Sequence, residues 1–153
     1  MGLEINHIII FGQLTLAFLL GGILGFERLV AGKEAGMRTF GIVAIGSCLF
    51  VIVGEVMARQ YAGVVNFDPT RLASSVVTGI GFIGAGLIIF QHELKGLTTA
   101  AVLWVASAIG VAVGFKMYMI AIFTTFLTLF VCVGVWYIER FLERIVAHER
   151  LKK

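Results

Sequence analysis

Gly79, Gly81 and Gly84, in the stretch VVTGIGFIGAGLIIF, have the G-x-G-x-x-G spacing of a turn that cradles a dinucleotide pyrophosphate. That chemistry needs a strand before the glycines, a helix opening from them, and a ribose-binding acidic residue about 20 positions on. Here the glycines lie inside an unbroken apolar run, Glu93 comes too soon, and the next carboxylate is Glu139. No nucleotide loop is expected. His7, His92 and His148 fall in separate segments without metal-ligand spacing, and the Ser and Thr residues of the apolar runs have no His or Lys nearby to serve as a base. Cys48 and Cys132 each stand in an apolar run, where small buried side chains are expected in preference to a ligand pair or a disulfide. The chain reads as a non-enzyme, with no catalytic residue, metal site or cofactor.

One polar cluster remains. Glu27, Arg28, Lys33 and Arg38 lie within twelve residues, with Gly32 and Gly36 allowing sharp turns between them. Such a cluster can bind a lipid phosphate, a partner's carboxylate or another anion; equally, it can anchor a loop around an internal Glu–Arg pair.

The elements that carry these residues follow from composition. Of 153 residues, 59% are hydrophobic and 14% charged, and the mean hydropathy is +1.02. Soluble domains are about half apolar and about a quarter charged, and one small core cannot hide this much apolar surface. Apolar runs at 8–26, 39–58, 72–90, 98–115 and 117–138 approach the ~20 residues that cross a hydrocarbon layer of ~30 Å. Lipid offers backbone groups no partner outside their own segment, so the runs are helices. The expected fold is an all-α membrane protein: a bundle of five transmembrane helices over residues 1–138, then a basic cytoplasmic tail at 139–153. In the tail, Ile138, Phe141, Leu142, Ile145 and Val146 form one apolar helical stripe, with Arg140, Arg144, Arg150, Lys152 and Lys153 opposite. This amphipathic helix suits the membrane surface or self-association. The first run is not expected to be a removable signal peptide, since no Lys or Arg precedes it and no small-x-small site follows.

Lys and Arg set the orientation. Arg59, Arg71 and Lys116 make three on one side, and Arg28, Lys33, Arg38, Lys95, Arg140, Arg144, Arg150, Lys152 and Lys153 make nine on the other. The positive-inside rule places the N-terminus outside and the C-terminus in the cytoplasm. The basic balance, pI about 9.1, is thus a topology signal, and no nucleic-acid-binding face accompanies it.

In lipid, small residues let helix backbones approach closely. Ala17, Gly21 and Gly25 in the first run, and Ala106, Gly110 and Gly114 in the fourth, repeat at steps of four. In the third, Ser74, Thr78, Gly81 and Ala85 share one face, and Ser75, Gly79 and Gly86 a second, which predicts a third helix sandwiched between neighbours with Gly81 and Gly84 at helix contacts. The fifth run, rich in Phe, Leu and Val, is expected at the periphery. Thr39 and Thr98 or Thr99 are candidate N-caps, as is Asp68, with Pro69 at the first helical position and Arg71 beside it in the outer loop.

The stretches GFERLVAGKEAGMRT, DPTRLASSVVTGIGFIGAGLI and GLTTAAVLWVASAIG resemble the MgtC/SapB family of bacterial membrane proteins. The resemblance implies a multi-pass protein of the bacterial cytoplasmic membrane, in a family linked to growth in low magnesium and survival inside phagocytes. It implies a regulatory or accessory role through other membrane complexes; the best-studied branch is linked to restraint of the ATP synthase through its membrane subunit. Members of that branch carry an ACT-like domain after the last span, and this sequence ends at Lys153, so the likeness is to short members. Glu27, Arg28, Lys33, Arg38 and Thr39 fall in the most distinctive of the three motifs. Expected partners are membrane lipids, other membrane proteins and a second copy of the chain. The alternative is a transporter or channel for magnesium or another small ion, its path lined by Gln13, Ser74, Thr78, Ser107 and carbonyls freed at glycines. No carboxylate stands near the middle of any run to help such a path, since Glu27 and Glu55 lie near run ends.

Overall fold

The computed structural model describes residues 7–61, 68–91, 93–138 and 140. Among these described residues, five helices follow one another: α1 His7–Val30, α2 Met37–Gln60, α3 Pro69–Gly86, α4 Leu97–Gly114 and α5 Tyr118–Phe130. A π-turn, Val131–Val135, continues α5. Among the described residues, four helical stretches are long and apolar enough to cross a membrane: His7–Val30, Met37–Gln60, Leu97–Gly114 and Tyr118–Ile138. The apolar part of α3, Arg71–Gly86, is shorter. The protein is thus an all-α, multi-pass membrane protein, as expected. Ile138 and Arg140 apart, the amphipathic tail lies outside the described residues.

The third helix ends four residues before the apolar run does. Gly84 and Gly86 weaken the helix, the N–H groups of Leu87 and Ile88 fall back on the carbonyls of Gly84 and Ala85, and the chain turns into a small hairpin. Strand β1, Ile89–Gln91, pairs antiparallel with β2, Glu93–Lys95. Gly96 closes the hairpin at φ +89°, where a Cβ would stand 2.0 Å from the Leu87 carbonyl oxygen. Only glycine fits there, and it also starts α4. The helix therefore begins ahead of Thr98 and Thr99, which are not its caps. Likewise α2 begins at Met37 behind Gly36, so Thr39 lies inside the first turn. Asp68 does immediately precede α3, and Pro69 is its first residue.

The core is built from α1, α2 and α4. Ala17, Leu24, Phe40, Ala44, Cys48, Leu103, Ala106 and Val113 are fully buried among them. The expected glycine seams of α1 and α4 both press on α2. A Cβ on Gly21 would meet the Ala44 methyl and the Phe40 carbonyl oxygen at 2.7 Å, one on Gly110 would reach the Ala44 carbonyl oxygen at 2.2 Å, and one on Gly114 would meet Val51 at 2.7 Å. Ala44 is where both neighbours touch.

The central helix is α4, which contacts each of the other four; α3 is not the sandwiched one. Its residues Ser74, Ser75, Thr78, Gly79, Gly81 and Ala85 are exposed, and α4 meets it along the face of Gly84, whose Cβ position lies 3.8 Å from Ala100. Nothing stands within 4 Å of a Cβ placed on Gly79 or Gly81. Ser74, Thr78, Gly81 and Ala85 have the spacing of a seam, but α4 lies on another side, where of the two expected contact glycines it meets Gly84 and not Gly81. Helix α5 is peripheral as expected, burying only Ala121 and Thr125.

Candidate functional site

The end of α1 collects the polar cluster read from the sequence. A Schellman turn stops the helix: the Gly32 N–H donates to Leu29 O at 3.0 Å, and the Lys33 N–H to Arg28 O at 2.9 Å. Gly32 takes the left-handed conformation, φ +69°, that this turn requires. Gly36 has no such need; the glycine that permits the return of the chain is Gly25, where a Cβ would meet Gly36 and Met37 backbone atoms at 2.7 Å. α1 and the start of α2 thus touch backbone to backbone.

Beside this contact Arg28 turns into the protein and is 4% exposed. Its Nη2 donates to Glu27 Oε1 at 2.6 Å, and its Nε to Glu27 Oε2. Successive residues on a helix point about 100° apart, so the two side chains must bend toward each other to meet. The bidentate geometry joins two charged groups into a neutral unit, which is what a cation at the edge of an apolar layer requires. Of the other cluster residues, Lys33 and Arg38 are exposed and Thr39 is half-buried. The structure therefore divides the cluster into a buried pair and a basic surface.

At the opposite end of the bundle, Glu55 accepts from Arg59 one helical turn on and from Lys116 Nζ at 3.3 Å. Lys116 sits at φ +63° between α4 and α5, in a second Schellman turn closed by its N–H to Val113 O and the Met117 N–H to Ala112 O. Asp68 and Arg71 are exposed at the start of α3. Sequence reasoning pairs Glu55 with Arg59; Lys116, 61 residues away, carries no local signal of its role.

Among the described residues, the buried polar side chains of the spans have near partners. Gln13, 3% exposed, donates through Nε2 to Val113 O at 2.9 Å and Gly114 O at 3.0 Å, two carbonyls of the last turn of α4. The hydroxyls of Ser47 and Ser107 share a 2.8 Å hydrogen bond between α2 and α4. Ser74 and Thr78 face outward, with Thr78 bonded back to Ser74 O, and Ser75 bonded back to Arg71 O. Gln13, Ser74, Thr78 and Ser107 are not gathered into one path. Ser47 was the missed member; the available signal was its place on the Ala44 face of α2, matched by Ser107 on the Gly110 face of α4. Thr98 is exposed and Thr99 buried at the start of α4. Among the described residues, no three His, Cys, Asp or Glu side chains converge as metal ligands, and no buried side-chain N or O lacks a hydrogen-bond partner.

Known proteins resemble this chain over most of its length. The model of the MgtC family matches residues 14–141. A protein of Escherichia coli K12 described as the putative magnesium transporter YhiD is 43% identical over 125 residues, covering 78% of this chain and 57% of its own. An uncharacterized protein of Haemophilus influenzae is 40% identical over 129 residues, covering 81% and 54%. Protein SrpB of Synechococcus elongatus is 35% identical over 153 residues, covering 90% and 84%. The chain thus spans little more than half the length of the first two. No solved structure matches. The match to the family model, the identity to these relatives and the apolar helices together make the chain a multi-pass membrane protein that belongs to the MgtC family.

Proposed function

We propose that this chain is a regulatory or accessory factor of the bacterial cytoplasmic membrane that acts by contact with other membrane complexes and carries out no chemistry of its own. The observation that carries this reading is the closure of its interior. Among the described residues, buried polar side chains are satisfied within the chain, and the polar side chains of the spans are dispersed. Meanwhile the outward face of α3 offers Ser74, Thr78, Gly81 and Ala85 to the membrane, where a neighbouring helix gains from close approach. The family resemblance adds magnesium homeostasis as the setting and the ATP synthase as one such complex. The rival reading is an ion transporter, favoured by the description of the E. coli relative as a putative magnesium transporter.

Purification from native membranes under mild detergent, with mass spectrometry of proteins and metals, separates the two. A specific membrane complex should co-purify, and the pure protein in liposomes should pass no magnesium. Metal-dependent flux in those liposomes without any co-purifying complex would replace the proposal with transport. The basic loop after α1 fits the cytoplasmic side, with the N-terminus outside. Lys33→Cys should then resist an impermeant thiol reagent in intact cells and Lys116→Cys should react; the reverse pattern would invert the topology.

A further inference from the structure

Trp104 stands at a depth where tryptophan is out of place. It lies seven residues from one end of α4 and ten from the other, so roughly 10 Å of helix separate it from the nearer end. It is 47% exposed, on a helix that is otherwise the centre of the bundle. Tryptophan is enriched at the two membrane–water interfaces, where its N–H reaches a polar partner. Among the described residues, the Trp104 N–H has no hydrogen-bond partner. Lipid tails at this depth offer no acceptor, and an unpaired donor in an apolar medium is costly. An acceptor brought by another polypeptide would satisfy it.

The surroundings of Trp104 identify that polypeptide. Helices α3 and α4, joined by the short hairpin, run antiparallel, and Gly84 meets Ala100. Four residues along, Trp104 is level with Ile80. With Ala100 marking the direction of α3, Gly110, which presses on α2, lies about 80° to one side of α4 and Trp104 about 40° to the other. With Gly84 marking the direction of α4, Val76, which lines a groove shared with α2, lies about 80° to one side of α3. Gly81, Ser74 and Thr78 lie about 60°, 80° and 120° to the other. Trp104 therefore stands beside Gly81, on the face of α3 turned away from α2, and nothing lies within 4 Å of a Cβ on Gly81. Thr78 is exposed farther round the same face. Its hydroxyl donates to Ser74 O at 2.9 Å, so its oxygen keeps lone pairs for a donor. One surface thus carries a donor and an acceptor that do not meet within the chain. Two copies inserted the same way are related by a two-fold axis along the membrane normal, and such an interface is self-complementary. When α3 packs on α3 through Ser74, that axis brings Thr78 of the partner subunit to the side where Trp104 stands, about 3 Å from the level of Ile80. We propose that two copies of this chain dimerise through the outward face of α3, each Trp104 Nε1–H donating to Thr78 Oγ1 of the partner subunit. The proposal rests on the regulatory reading only in taking this face as a contact surface, and it names the occupant.

The test uses the full chain, purified and reconstituted in liposomes, where no other membrane complex is present. On mild oxidation Ser74→Cys, next to the axis, should form a disulfide-linked dimer, and Gly79→Cys, on the α2 side, at least tenfold less. The wild type, with Cys48 buried and Cys132 half-buried, is the blank. Energy transfer between copies tagged with donor and acceptor fluorophores, followed across lipid dilutions, gives the dissociation constant. A hydrogen bond in a membrane is worth about threefold in association. The dimer contains two, so Trp104→Phe, which keeps an aromatic ring and loses the N–H, should raise the constant roughly five- to tenfold. Thr78→Val should match it, and the double variant should add little further. All four positions are exposed, so each variant keeps the fold of the single chain. No dimer from Ser74→Cys, or an equal yield from Gly79→Cys, would overturn the face. An unchanged constant in Trp104→Phe would overturn the bond to Thr78. If Ser74→Cys stays monomeric in liposomes but links to a different protein in native membranes, the face belongs to another complex: the dimer is overturned and the regulatory reading stands.

Discussion

The α1–α2–α4 side of the bundle and the α3 side are written in the same alphabet of glycine, alanine and serine at steps of three and four, yet they come out differently. On the first side the space beside each seam glycine is already taken, by the Ala44 and Phe40 carbonyls and the Val51 side chain. On the second, Gly79 and Gly81 look onto nothing within 4 Å. Spacing says that a helix can be approached closely; it does not say by whom. A seam whose partner is in the same chain is closed on folding, and one whose partner is lipid or another protein stays open.

Substitutions at the two sets of glycines should therefore part company. The largest effect is expected for Gly110→Leu, because its Cβ meets backbone at 2.2 Å and backbone cannot swing aside as a side chain can. Overpacking should cost more than about 3 kcal/mol, and size-exclusion chromatography in detergent should show aggregated protein. A monodisperse, folded Gly110→Leu would break the distinction between the two sides at once. Next comes Glu27→Ala, which leaves the Arg28 guanidinium buried without its partner. Breaking a buried pair costs about 3–5 kcal/mol, so the melting temperature should fall steeply, and the double variant with Arg28→Met should recover much of the loss. A melting curve of Glu27→Ala matching wild type would mean the pair is solvated.

Smaller effects sharpen the contrast. Ser47→Ala removes one hydrogen bond of the α2–α4 contact, and such bonds in membranes average about 0.6 kcal/mol. A shift of one to a few degrees in thermal melting is expected, with little further change when Ser107→Ala is added. The smallest effect belongs to Gly81→Ala on the open side, where the helix itself gains up to about 1 kcal/mol and nothing is displaced. Its melting should hold or rise slightly. If its fold is kept while a co-purifying complex is lost, the outward face of α3 is an interface with another chain.

The features legible in the sequence are those whose cause is local. Apolar length marked the four long spans, and steps of four located Gly21, Gly25, Gly110 and Gly114 on contact faces. The end of the third helix was hidden because Ile88, Ile89 and Phe90 prolong the apolar run after Gly86 has broken the helix. Thr98 and Thr99 looked like caps because hydroxyls serve that purpose, but the demand of the hairpin for a left-handed residue put Gly96 at the junction. For the candidate site, the adjacency of Glu27 and Arg28 is visible in the sequence, whereas their burial is a product of tertiary packing that no local pattern encodes. The sharing of Ser47 with Ser107, and of Glu55 with Lys116, links residues about 60 positions apart, which no short-range pattern encodes.

The π-turn in α5 has a rotational consequence. A π-turn accommodates one residue more than the α-helix that flanks it, and one residue corresponds to about 100° around the helix axis. Ahead of it, Ala121 and Thr125 aim into the bundle; beyond it, Trp136, Tyr137 and Ile138 are all exposed, and Arg140 lies over the Trp136 ring at 4.4 Å. The turn works as a fixed clutch between two lengths of one helix, so that Trp136, Tyr137 and Ile138 present faces about a quarter-turn away from those the preceding helix would have given them.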